Sequence, residues 1–259
     1  MKLTFILFAL FYSAIVYTQD LTSTQNDSHI INPSIENLVK FNLVPLVWGT
    51  GSLSYERKIA NQWAIGATLN YRPKGKAPFK STLQKIFEND TSNKNLTFDV
   101  DKLKYSNFSF APEIKFYFGK KGAFSGFYIA AFAKIETTKV DYAYRFNELL
   151  LLNKDPDLPL KGNINAFSGG IYCGIQWNIG KNFYLDWQII GGNYGFANIN
   201  ISSNRNLTPD EQIALNYFAK DLKDNFKNME YEVNEDGIKI DGKMPWAGLR
   251  TGLSIAYSF

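Results

Sequence analysis

Histidine and cysteine are almost missing from this chain: its 259 residues contain one of each, His29 and Cys173. A single thiol cannot close an internal disulfide, and this inventory cannot assemble a Cys/His metal site. Imidazole is the usual proton acceptor near neutral pH in hydrolases and acyl transferases. With His29 ahead of the first recognisable strand, a histidine-based enzyme is not expected. Long apolar runs are missing too, since beyond Val16 no segment approaches the roughly 18 consecutive apolar residues of a helical membrane span. Charge of one sign is also lacking. The balance of 28 basic and 24 acidic residues gives no nucleic-acid signature. No cofactor is expected.

What is present begins with an export pattern. Lys2, the apolar stretch Leu3 to Val16 and the polar Tyr17-Thr18-Gln19-Asp20 follow the charged start, apolar core and polar exit of a secretory signal peptide. The apolar stretch is shorter than the roughly 20 residues a spanning helix needs. Residues 1–18 are therefore expected to be a cleaved signal, 19–36 a polar segment and 37–259 one domain.

Aromatic residues make up 16% of the chain, with 21 Phe and 15 Tyr, a balance that suits strands and interfacial aromatic belts. Trp63, Ile65, Ala67, Leu69 and Tyr71 alternate with small or polar residues, and the same period recurs over residues 108–118, 127–136, 167–179 and 183–190. Period two sustained over about 10 residues predicts strands. Ile190 is expected on the same face as Asp186 and Gln188. With Gly51–Arg57 and the C-terminal segment these make seven strands. An eighth is expected over about Leu38 to Trp48, bulged at Pro45 and closed by a tight Trp48-Gly49-Thr50-Gly51 turn.

The links between strands alternate in size. Residues 60–62, 120–125 and 180–182 are short links, whereas 73–106, 145–163 and 197–245 are long. That asymmetry predicts an all-β fold, an eight-stranded antiparallel transmembrane β-barrel with short periplasmic turns and long outer loops. Trp63 and Trp177 beside the short turns, and Trp48 and Trp246 at the other end, are expected to form two girdles. The alternating Leu253, Ile255, Tyr257 and Phe259 resemble the terminal strand that the outer-membrane insertion machinery reads. They are the expected assembly signal. The bacterial outer membrane is the expected location, with its lipid, its lipopolysaccharide and that machinery as partners.

The other strand face carries Glu56, Glu113, Lys115, Lys134, Glu136, Gln176, Asp186 and Arg250. A lipid-binding calyx would turn apolar residues inward, so this face is read as a polar lumen. Tight-turn registers predict Glu113 diagonal to Lys134, Gln176 opposite Asp186, Arg250 with Glu136 in the upper lumen and Glu56 with Lys115 in the lower. Four acids against three bases nearly cancel, as burial of charge requires. An eight-stranded interior is just wide enough to be filled by side chains, which argues against a general porin. In the third long link Thr208, Pro209, Asp210 and Glu211 predict a helix start. Leu215, Phe218, Leu222 and Phe226 give that helix one apolar stripe, a candidate lid or surface for an extracellular partner.

The predicted barrel as a whole resembles the small OmpX/OmpA-type barrels. Lys40-Phe41-Asn42-Leu43 through Gly51-Ser52-Leu53-Ser54-Tyr55-Glu56-Arg57 is similar to the opening of an uncharacterised Bacteroidota outer-membrane barrel family. Unlike full-length OmpA-type proteins, no peptidoglycan-binding domain is expected after Phe259. The resemblance implies location and fold, and a structural or surface-interaction role through the long loops. It carries over no catalytic residue. A narrow OmpW-like conduit for a small or apolar solute is the alternative, and a lipid-modifying barrel enzyme working through the carboxylates is the third reading.

Overall fold

The computed structural model describes residues 36–78, 100–146, 157–225 and 228–259. The expected signal peptide and His29 lie outside these residues. The strands are β1 Asn37–Asn42, β2 Gly51–Lys58, β3 Trp63–Lys76, β4 Leu103–Tyr117, β5 Gly126–Arg145, β6 Asp157–Asn178, β7 Phe183–Ser203, β8 Met229–Asn234 and β9 Gly237–Ser258. Each pairs antiparallel with its neighbours in the order β1 to β7, then β9, and β9 pairs back onto β1. The ring therefore closes with eight strands, as predicted. β8 stands outside it, paired with the first residues of β9 as a hairpin arm. One α-helix among the described residues, α1 Pro209–Asn225, links β7 to β8.

Period two decides which residues face in. On β9, Leu253, Ile255 and Tyr257 are exposed while Gly252, Ser254, Ala256 and Ser258 are buried. The outward apolar residues end in one band: Phe110 pairs with Ile135, Phe167 pairs with both Ile135 and Phe196, and Phe196 pairs with Pro245, while Tyr71 and Phe108 extend it by two residues on β3 and β4. Beyond that band the outward positions turn polar, as in Thr137, Lys139 and Asp141 on β5. The other limit lies at the short turns, where Trp63 packs on Phe116 at 4.9 Å, Phe118 on Phe127 at 5.7 Å and Phe183 on Tyr257 at 5.4 Å. From Phe167 to Trp177 the strand covers about 33 Å at about 3.3 Å per residue. That is about 25 Å along the barrel axis at the usual tilt, the height of a membrane barrel's apolar band.

Beyond the apolar belt the same strands continue with reversed polarity. Leu158 and Leu160 of β6 and Ile238 and Ile240 of β9 are buried inside with Phe146 and Leu207, forming a second core under α1.

Several expectations need correction. β1 stops at Asn42, and Val44–Trp48 forms a 3-10 turn with Pro45 in its opening position and Gly49 left-handed at its end (φ 69°). Proline's fixed φ and missing N–H suit a helical first turn better than a strand. Bulges lie instead between Arg72 and Gly75 on β3 and at Ile189 on β7, where residues 189 and 190 together face one residue of β9. The Thr251 hydroxyl donates to the carbonyls of Gln188 and Ile189 at 3.0 and 3.2 Å. The extra residue turns Ile190 outward, away from the face of Asp186. Trp246 is not a girdle residue, because its even position on β9 points inward, where its indole N–H donates to Glu136 at 3.2 Å. The long links are shorter than expected, since β6 starts at Asp157, β7 runs on to Ser203 and β9 starts at Gly237.

Candidate functional site

Inward residues of the belt region form two tiers. The lower tier, near the short turns, is dry. Lys40, Glu56, Lys115, Gln176 and Asp186 are each at most 1% exposed. The Lys40 ammonium donates to Asp186 and to Gln176, each at 2.6 Å, and lies 2.8 Å from Glu56. The Lys115 ammonium donates to Glu56 and sits 3.3 Å from Glu113 and 3.9 Å from Asp186. Tyr117 donates to Glu56 at 3.1 Å, and Tyr128 donates to Asp186 at 2.7 Å. Desolvating these charges is tolerable only because each carboxylate meets an ammonium and further donors.

Aromatic rings fill the remaining space. Tyr117, Tyr128 and Tyr172 form a chain with centroids 5.2 and 5.9 Å apart, and the Lys115 ammonium lies 4.7 Å from the Tyr128 ring centre. Gly174 opposite makes this possible, because a Cβ there would strike the Tyr128 phenol. From below, the 118–125 turn folds Phe124 into the barrel base. Phe124 is 2% exposed, with a left-handed φ of 72°, and its carbonyl accepts from Gln176 at 3.0 Å. A bulky residue held in that strained conformation points to a packing requirement at the base.

The upper tier is wetter. Arg250 donates to Glu113 at 2.8 Å and to Gln188 and Thr68 at 3.2 Å, with its guanidinium 4.2 Å from the Tyr172 ring centre. Lys134 pairs with Glu136 at 2.8 Å, and Glu136 also accepts from Asn107 at 2.7 Å. Above Arg250 a cavity of about 440 Å³ opens, whose lining includes Asn42, Asn107, Lys134, Asn193 and Arg250.

The eight lumenal residues named from the sequence thus all face the interior, but in a different pairing. Glu113 does lie diagonal to Lys134, two residues along β5 from its register partner Phe132. The two do not pair, because Arg250 and Lys115 reach Glu113 first and Lys134 turns along its own strand to Glu136. Arg250 accordingly belongs to Glu113 and not to Glu136. Two charged residues were missed: Arg72, buried with its guanidinium 4.4 Å from the Tyr105 ring centre, and Lys40, which brings the paired set to four acids and four bases. The signal for Lys40 was present in the even parity of Leu38, Lys40 and Asn42, blurred by carrying that strand on through Pro45.

In the helix, Leu215 is fully buried and Phe218 packs on Tyr144 at 5.1 Å. These two residues are therefore a packing face against the outer core. Leu222's side chain and Phe226 lie outside the described residues. Thr208 and Glu211 close a reciprocal capping box, with the Thr208 N–H donating to Glu211 at 2.8 Å. Leu253, Ile255, Tyr257 and Phe259 all point outward. Among the described residues, no three His, Cys, Asp or Glu side chains are placed to hold a metal.

Fold and interior define a closed antiparallel β-barrel with an apolar outer belt and a charge-paired polar inside. Over residues 10–221 the chain matches the family described as "Protein of unknown function (DUF3575)", and it belongs to that family. No curated protein matches it. Similar solved structures include a major outer membrane protein from Thermus thermophilus, at 11% identity over 86% of this chain and 98% of that one, TM-score 0.48. The outer membrane protease OmpT from Escherichia coli is similar at 10% identity over 87% of this chain and 93% of that one, TM-score 0.31. Likeness at this level carries no argument about activity.

Proposed function

We propose that this protein is exported through residues 1–18, inserts into the bacterial outer membrane as an eight-stranded barrel, and acts there as a non-enzymatic structural or surface-interaction protein. The observation that carries the reading is the outward apolar belt, bounded by aromatic rings on one side and by polar outward positions on the other. A soluble barrel would leave Ile171, Tyr194 and Leu249, which are 66%, 68% and 90% exposed, in water at a large hydrophobic cost. The part beyond the belt, with α1 and β8, is the part offered to the outside, and the outward Leu253, Ile255, Tyr257 and Phe259 serve as the assembly signal. The barrel resembles the OmpX/OmpA type in size.

The dry lower tier argues against the conduit reading, since a solute would have to displace paired charges and three tyrosines. Two measurements test the proposal. The protein is expected in the outer-membrane fraction, and liposomes containing it are expected to swell no faster than empty ones in small sugars. Recovery as a soluble periplasmic protein overturns the location, and sugar-driven swelling overturns the sealed interior.

A further inference from the structure

Among the described residues, the ring is complete at its base and open at one flank. β1 has six residues and β9 has 22, so β1 covers only the last turns of β9. The last ladder pair is Asn42 with Ser254, and one further bond runs from the Leu43 N–H to the Leu253 carbonyl at 2.8 Å. The Asn42 carboxamide oxygen then accepts from the Leu253 N–H at 3.2 Å and the Val44 N–H at 3.1 Å, satisfying both edges where the strands part. Gly252 leaves room for this arrangement, since a Cβ would displace the Asn42 amide. Above this fork, β8 takes up β9 only from Gly237 to Gly242. Between the two, no described strand lies on the β1 side of Pro245, Ala247, Leu249 and Thr251. Pro245 removes one N–H from this free edge, as edge strands commonly do.

The flank opens within the apolar belt, because Leu249 is in register with Gly192, and Gly192 with Ile171. It leads into the upper cavity of about 440 Å³, a volume within the range of small-ligand sites. The cavity's lining changes character from outside to inside. Val44, Pro45, Trp48 and Leu249 stand at the apolar mouth. The charged groups that line it are Lys134 and Arg250, both cations, while Glu136 and Glu113, their partners, are not part of the lining.

We infer that this flank is a binding site for a single-chain anionic amphiphile drawn from the membrane. Its carboxylate takes up Lys134 and Arg250, and its acyl chain leaves between Leu249 and Trp48 into the surrounding lipid. Charge complementarity selects the head, and the position of the mouth within the belt selects the tail. The inference rests on the membrane reading above, whose own failure would be seen separately as loss of the protein from the outer-membrane fraction.

The test uses the purified protein in non-ionic detergent with tritiated hexadecanoate, hexadecan-1-ol and butyrate as probes. Saturable binding of one hexadecanoate per chain is expected, with the alcohol and the short acid at least tenfold weaker. Two variants are expected to weaken hexadecanoate at least tenfold while keeping the gel-mobility difference between folded and boiled protein. One is K134M/E136Q, which removes a lining cation without stranding its partner. The other is Leu249→Asp, which places an anion at an exposed mouth position. Equal binding of acid and alcohol, or hexadecanoate binding untouched by both variants, overturns the inference. So does a dimer by light scattering that excludes hexadecanoate, because a second copy would then occupy the β9 edge.

Discussion

Two halves of this barrel are built from the same strands with opposite polarity. In the belt half, β6 turns Phe167, Ile171 and Trp177 outward and Ser168, Tyr172 and Gln176 inward; in the outer half it turns Lys161 and Asn163 outward and buries Leu158 and Leu160. The parity never breaks on β6. What changes is the solvent each half meets, lipid for one and water for the other, so one backbone carries an inside-out protein joined to an ordinary one. The belt half holds its interior by paired charges, enclosed on every side only in the lower tier. The outer half holds its interior by apolar burial, which needs only coverage by α1 and β8.

The strongest way to break this comparison is to remove one charge from the enclosed tier. Glu56→Gln leaves Lys40 and Lys115 with too few carboxylates and is expected to destabilise the barrel by about 3–5 kcal/mol. Urea unfolding followed by the folded-to-boiled gel shift measures it. Lys134→Met, in the wetter tier where the lysine is 25% exposed, is expected to cost less than about 1 kcal/mol. Equal costs would show that water reaches both tiers alike.

Next in size is a charge placed on the lipid face. Ile171→Lys is expected to cost about 2–4 kcal/mol near the middle of the belt, read as slower and less complete folding into lipid vesicles. The opposite exchange in the outer half, Lys139→Ile, is expected to leave folding into vesicles unchanged. If Ile171→Lys folds as well as the parent chain, the belt does not face lipid.

A double-mutant cycle separates the pairing in the structure from the pairing expected from local register. Coupling between Glu113→Gln and Arg250→Met is expected at about 1–3 kcal/mol, and between Glu113→Gln and Lys134→Met close to zero. Reversal of that order would return Glu113 to Lys134.

Parity makes the belt half legible in the sequence: apolar residues at every second position identify strands and their lipid face from the segments around Trp63, Phe110 or Ile175 alone. The outer half reads as loops because its pattern is inverted. Lys139 and Asp141 outside with Val140 and Tyr142 inside look irregular to a search for outward apolar residues. The eight lumenal side chains follow from the same parity, but their partners do not. Arg250 and Glu113 lie on strands that are not paired in the sheet, and Lys40 reaches Gln176 and Asp186 across the barrel. Sequence registers give neighbours on adjacent strands and are silent about side chains that meet across a lumen.

The smallest expected effect sits at the outer rim, where Asp157 ends β6 opposite Arg145. Hydrogen bonds from Arg145 at 3.0 Å and Lys102 at 2.7 Å hold its carboxyl below the ordinary carboxylate range. A depressed acid stabilises the fold fully above its unfolded pKa of about 4 and ceases to do so as pH falls through the lower folded value. The rim of the β5–β6 hairpin should therefore loosen below about pH 4, by less than about 1 kcal/mol because the site is partly in water. Hydrogen exchange corrected for intrinsic rates, compared between pH 6 and pH 3, is expected to show faster exchange at Ala143–Arg145 in the parent chain. In Asp157→Asn the same amides are expected to exchange equally fast at both pH values. An unchanged pH response in that variant would assign the loosening to the enclosed carboxylates below, and would mean that the two halves are not independent in acid.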